Sequence, residues 1–326
     1  MPLRTRLTEK FGIAHPILGA PMGSVSGGKL AAAVSQAGGL GLIGGGYGVA
    51  EWIDREFAEA GNARVGCGFI TWSLANNPAL LDRVLTRAPA ALMLSFGNVA
   101  PFAEKIREAG VPLICQVQTI AHAREAVAAG ASVLVAQGTE AGGHGASRAT
   151  LTLVPEVADY LAQNAPNTLL VAAGGIADGR GLAAALMLGA DGVLIGSRLI
   201  ASREALVHPR IHEALVAADG DATVRTTVVD IVRGYAWPAP FTGRALKTRF
   251  VADWHGREQA LAEPETNARE RERYWKAYEA GDVDRIGVFM GEAVGLVHAV
   301  EPAHDIIARI AAEAEELLGR AGRFLS

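Results

Sequence analysis

Cysteine is nearly missing from this chain. Its 326 residues hold only Cys67 and Cys115, with no CxxC spacing and no histidine grouped with either. That excludes a disulfide framework and a cysteine-based zinc site, and leaves both as small core residues of a reducing compartment. The HExxH pattern is absent, and no other His, Asp and Glu grouping has metal-ligand spacing, so no metal site is expected. There is no basic run, and the formal net charge is −4, which gives no electrostatic case for nucleic acid or an anionic membrane surface. No apolar stretch approaches the roughly 18 to 20 residues that a membrane-spanning helix needs. The opening MPLRTRLTEKFGIAHP lacks the continuous apolar centre of a signal peptide. These absences together lead to the expectation of a soluble, cytoplasmic protein. Aromatic residues are scarce, at 6%.

What is abundant is small and apolar. Half the residues are hydrophobic and 39 are glycine, a composition suited to closely packed strands and helices. Eight short apolar runs read as strands: Pro16–Ala20, Leu40–Gly44, Arg64–Ile70, Ala91–Phe96, Pro112–Gln118, Val133–Gln137, Leu169–Ala173 and Gly192–Gly196. They are near-continuous rather than alternating, as parallel strands covered on both faces are. Helical spacing fills the gaps, and several helices end at a glycine: Ala100–Ala109 at Gly110, Ala121–Ala129 at Gly130, Gly179–Leu188 at Gly189. Eight such units predict an α/β fold, a (β/α)₈ TIM barrel. An open doubly wound sheet is the other arrangement of alternating elements, but eight is the closing number and no GxGxxG follows the first strand. Residues 1–198 are expected to form the barrel core carrying the site. The region 199–326 reads as helical and irregular, closing the barrel and capping the site without being clearly a separate domain.

Active sites of such barrels sit at the C-terminal ends of the strands. Here those ends are rich in glycine: GAPMGS, GGGYG, QGTEAGGHG, AAGGIADG and IGSR. The last two, with Gly174-Gly175 and Gly196-Ser197, follow the seventh and eighth strands, where backbone N–H groups can converge on a phosphate. The helix starting near Asp178-Gly179 would add its positive end. In QGTEAGGHG, His144 is the one histidine placed on a strand-end loop. A general base and a hydrogen-bond donor to a developing anion are both open to it. Glu140 reads as a residue that orients this loop, and Trp237 with Pro238 and Pro240 as a packed turn. Cys115 lies inside a strand, a poor place for a nucleophile.

Assembled, these segments resemble the nitronate monooxygenases, formerly 2-nitropropane dioxygenases. The likeness runs from PILGAPMGSVSGGKLAAAVSQAGGLGLIGGG through AQGTEAGGHG and AAGGIADGRGLAAALMLGADGVLIGSR to FTGRALKTRFV and VFMGEAVGL. The resemblance implies an FMN-dependent oxidoreductase acting on a nitronate or nitroalkane with O2, giving a carbonyl compound and nitrite. It implies His144 as catalytic base or proton donor. Gln137, Gly142 and Gly143 would lie along FMN, with Gly174, Gly175, Gly196 and Ser197 around its phosphate. Ala20, Pro21 and Met22 would line the isoalloxazine, and the Gln116 amide would donate to it. Relatives often carry an asparagine after the third strand; here Cys67-Gly68-Phe69 stands in its place, with Thr71 a candidate substitute. NAD(P)H-dependent FMN reductases of quinones or enoyl thioesters look similar and are the alternative reading. A homo-oligomer is left open.

Overall fold

A computed structural model describes residues 2–324 of the chain. Its strands in chain order are β1 (Ile17–Gly19), β2 (Leu40–Gly46), β3 (Gly66–Ile70), β4 (Leu92–Ser95), β5 (Leu113–Val117), β6 (Val133–Gln137), β7 (Gly143–Gly145), β8 (Leu169–Ala173), β9 (Gly192–Ile195), β10 (Thr223–Thr226) and β11 (Thr242–Leu246). All but β7, β10 and β11 close into one parallel barrel, β1-β2-β3-β4-β5-β6-β8-β9. The ring shuts where β1 pairs with β9, Leu18 opposite Leu194. The expected (β/α)₈ barrel is therefore the fold, and the open sheet is excluded.

Alternation along each strand builds two separate apolar layers. Leu18, Leu40, Leu42, Met93, Ile114, Val133, Val135, Val171 and Leu194 fill the barrel interior. Leu7 and Phe11, from the helix Arg6–Phe11, join them. Ile17, Ile43, Cys67, Leu92, Cys115, Leu134, Leu170 and Val193 face the surrounding helices instead. Both thiols are thus core residues, and burial pushes each up to about 12. Helix ends follow the sequence reading: Gly130 and Gly189 take φ of +82° and +94°, open only to glycine without a Cβ penalty.

The last helix, Ala303–Gly319, packs on Gly179–Met187 and completes the barrel wall. A Cβ on Gly179 would fall 2.6 Å from the backbone N of Ala314, so this close crossing needs glycine there. Residues between β9 and that helix hold their own apolar cluster, including Ile211, Leu215, Val228, Val232, Leu246, Phe250, Tyr274 and Met290. The sequence reading had this region as helical and irregular; it also holds two strands. β10 and β11 form an antiparallel sheet whose third strand is β7, the segment carrying His144. The cause is a non-local backbone pairing: Gly243 lies opposite His144. A side chain on Gly243 would meet the ring of Phe289 at 2.4 Å. No helix among the described residues is long and apolar enough to cross a membrane.

Candidate active site

A cavity of about 700 Å³ opens at the C-terminal ends of the barrel strands, within the usual range for small-molecule sites. Twelve of the residues singled out from the sequence line it: Ala20, Pro21, Met22, Gln116, Gln137, Gly142, Gly143, His144, Gly174, Gly175, Gly196 and Ser197. Glycine lets these walls come together. A Cβ on Gly44 would lie 2.3 Å from the carbonyl O of Met22, and one on Gly68 2.4 Å from the Pro21 ring. The turn after β1 is therefore seated against β2 and β3.

Gly174 and Gly175 have φ of +102° and +74°. Among the described residues, the N–H groups of Gly175, Gly196 and Ser197 have no hydrogen-bond acceptor. Ser197 Oγ accepts from the Gly291 N–H at 2.9 Å, which leaves its own hydroxyl hydrogen free to donate. One part of the sequence reading is corrected. The helix Gly179–Met187 does not offer its N-terminus to the cavity, because Asp178 caps it, accepting from the N–H groups of Arg180 and Gly181. Its first N–H groups are spent on a carboxylate of the chain itself. Whatever anion sits by these loops is held by turn amides and a hydroxyl.

His144 is 9% exposed and lies on β7, a strand rather than a free loop. Its Nε2 lies 2.9 and 3.0 Å from the two carboxylate oxygens of Asp230. Nε2 therefore carries the proton and donates, and Nδ1 keeps its lone pair. No hydrogen bond engages Nδ1 among the described residues. Burial holds the imidazole below its ordinary value of 6.5; Asp230 works against that, and Arg233 and Arg225 add to it. The ring stacks on Trp237 at 3.4 Å between centroids and 5° between planes. Phe289 lies 5.0 Å away, and Phe96 approaches edge-on at 6.3 Å. Phe96 has φ of +64°, a conformation uncommon for a bulky residue. Tyr47 and Tyr235 stack at 3.9 Å on the same wall. Scarce aromatics are concentrated here, so apolar rings surround the His144 imidazole.

Polar side chains hold the rest in register. Gln116 Nε2 and Gln118 Nε2 both donate to Gln137 Oε1, at 2.9 and 3.0 Å, and Gln137 Nε2 donates to the His144 carbonyl at 3.1 Å. One donor of Gln116 is therefore engaged within the chain. Glu140 accepts from the N–H and hydroxyl of Thr150, which ties the loop to the following helix, as the sequence reading had it. Arg225 and Arg244 both donate to the Thr139 carbonyl, and Arg225 also reaches the carbonyls of Gly145 and Thr242. Burial and then Arg244 bring Arg225 down to about 10.

Sequence reasoning missed Asp230 and treated Trp237 as packing. A signal was present: in a chain this poor in aromatics, Tyr235 and Trp237 stand two apart in one short segment. Thr71 is not brought to the cavity. It is 1% exposed with an unpartnered hydroxyl, and the wall at the end of β3 is Gly68, Phe69 and Ile70.

A family model described as "Nitronate monooxygenase" matches residues 4–64 and 73–313. The chain belongs to the nitronate monooxygenase family. The match leaves out residues 65–72, which hold β3. Nitronate monooxygenase npaC of Metarhizium robertsii is 34% identical over 336 residues, covering 93% of this chain and 91% of that protein. Among solved structures, FabK from Thermotoga maritima superposes with a TM-score of 0.85 at 31% identity, covering 99% of each chain. A nitroalkane oxidase from Streptomyces ansochromogenes gives a TM-score of 0.81 at 26% identity, covering 97% of this chain and 99% of that one. The protein is an oxidoreductase, its family is one of flavoenzymes, and it acts on small molecules.

Proposed function

We propose that this protein is an FMN-dependent nitronate monooxygenase that oxidises alkyl nitronates with O2 to a carbonyl compound and nitrite. The observation that carries the reading is the orientation of His144 by Asp230 at the mouth of a glycine-walled cavity. The cavity fits FMN. Unpaired amides of Gly175, Gly196 and Ser197 suit a terminal phosphate, and the walls at Ala20, Pro21 and Met22 suit a flat ring. When bound, FMN supplies the electron acceptor that oxidation of a nitronate requires.

The side chains do the rest. Asp230 holds the Nε2–H tautomer, so that Nδ1 is the basic nitrogen. With its proton affinity lowered by burial, His144 is neutral at pH 7 and ready to take the α-proton of a nitroalkane, producing the nitronate in place. A substrate supplied as nitronate skips that step. Trp237, Phe289 and Phe96 exclude water around the imidazole, which strengthens its pairing with Asp230. Gln137 fixes the backbone of His144, and Gln116 remains able to meet the polar edge of the ring system.

FabK, an equally long structural match, keeps an NAD(P)H-dependent reductase of quinones or enoyl thioesters as the second reading. An anaerobic visible spectrum of the flavin-loaded protein separates the two. Bleaching by propionate 3-nitronate, with no change on adding NADH or NADPH, supports the monooxygenase. Bleaching by a nicotinamide, with none by nitronate, would move the protein to the reductase.

A further inference from the structure

Four charged side chains line the cavity besides His144: Glu51, Arg55, Glu140 and Arg233. Glu140 is committed to Thr150. Arg55 donates to Glu56 and lies over the Trp52 ring at 4.8 Å. Glu51 is exposed. Arg233 is different, because its guanidinium makes no hydrogen bond and no ion pair among the described residues. Its Nε is buried with no partner.

The guanidinium is nevertheless held in place. It lies over Tyr235 at 5.0 Å and over Trp275 at 5.8 Å, sandwiched against aromatic faces. Asp230, one turn earlier on the helix Val228–Arg233, is spent on His144. The C-terminal end of that helix favours a cation, which accounts for a positive charge there but uses none of its donors. A fixed, partly desolvated, unpaired guanidinium on a cavity wall is costly unless an anion completes it. Its fork matches a carboxylate with two parallel hydrogen bonds.

We propose that Arg233 anchors a carboxylate carried by the substrate away from its reacting carbon, and so sets the protein's preference for acid-bearing substrates. The placement agrees: Asp230 and His144 mark the reacting end, while Arg233 stands one helical turn further along, against the half-exposed Trp275 of another helix. The inference rests on the cavity being the substrate site proposed above.

The test compares wild type, Arg233→Met and Arg233→Lys, all loaded with flavin. Turnover of propionate 3-nitronate is measured against that of propyl-1-nitronate, which lacks the carboxylate. The ratio of their kcat/KM values should fall roughly tenfold or more in Arg233→Met, as loss of a charge-assisted pair implies, and less in Arg233→Lys. A ratio unchanged in Arg233→Met would overturn the proposal, even if both substrates slow equally. A binding arm needs no turnover: succinate, a non-reacting isostere of propionate 3-nitronate, and butyrate are titrated by perturbation of tryptophan fluorescence. Wild type should prefer succinate and Arg233→Met should lose that preference. Equal binding of the two by wild type would sink the anchor. A wild type that prefers succinate yet oxidises no nitronate would sink the monooxygenase reading alone.

Discussion

His144 and Asp230, 86 positions apart in sequence, meet through Nε2 and a carboxylate at 2.9 Å. The contact determines which imidazole nitrogen is basic, and the proposed chemistry depends on it.

Replacing Asp230 by Asn tests that dependence. The amide can donate to Nε2 and stabilise the wrong tautomer, a change that costs about 10⁴ in the serine-protease triad. Turnover of a neutral nitroalkane should fall by roughly 10² to 10⁴, and turnover of preformed nitronate by much less. Oxygen consumption with each substrate reads both.

The pH profile should carry the same signature. Burial lowers the His144 value below 6.5, so the folded protein keeps the imidazole neutral where the unfolded chain would already protonate. The base form therefore persists through pH 6.5, and kcat/KM for a nitroalkane should fall only at more acid pH. The stability contribution has the same sign: complete above 6.5, and lost as pH falls toward the folded value. Preformed nitronate should lack the His144 limb.

Trp237 covers one face of the imidazole at 3.4 Å. Trp237→Ala admits water and relieves the desolvation that lowers the His144 value. The acid limb for nitroalkane should move up toward 6.5. An unmoved limb would mean that Trp237 does not desolvate the base.

Gly174 is a test of the phosphate cradle. A Cβ there would lie 2.9 Å from Thr150 Oγ1 and 3.0 Å from the Gly138 carbonyl, at a φ of +102°. Gly174→Ala should therefore displace the neighbouring amides and weaken FMN retention by roughly tenfold or more, the effect of losing a hydrogen bond to a charged group. Flavin released on dilution, with circular dichroism to confirm the fold, measures it.

Cys67 and Cys115 should be inert. With both thiols pushed up to about 12 by burial, the folded protein should consume no thiol reagent at pH 8, and the unfolded chain two equivalents.

The barrel was legible because each of its strands is a local, mostly apolar run, so the pattern survives without knowledge of partners. The cavity glycines were legible for the same reason: the strand ends place them all on one rim. What escaped depends on distant pairing. β10 and β11, reading TVRT and TGRAL, are short and half polar, and only their pairing with Gly143–Gly145 defines them as strands. Asp230 sits on a helix of six residues, where one carboxylate carries no mark of its partner. The capping role of Asp178 was visible as a residue type before a helix, but the glycines beside it drew the reading toward an anion.

The most direct measurement is oxygen uptake by the His144→Asn variant, loaded with flavin, on a nitroalkane and on its preformed nitronate. The account predicts near loss of nitroalkane turnover with nitronate turnover largely kept. Equal activity of the variant on both substrates, relative to wild type, would contradict it and remove His144 from the proton transfer.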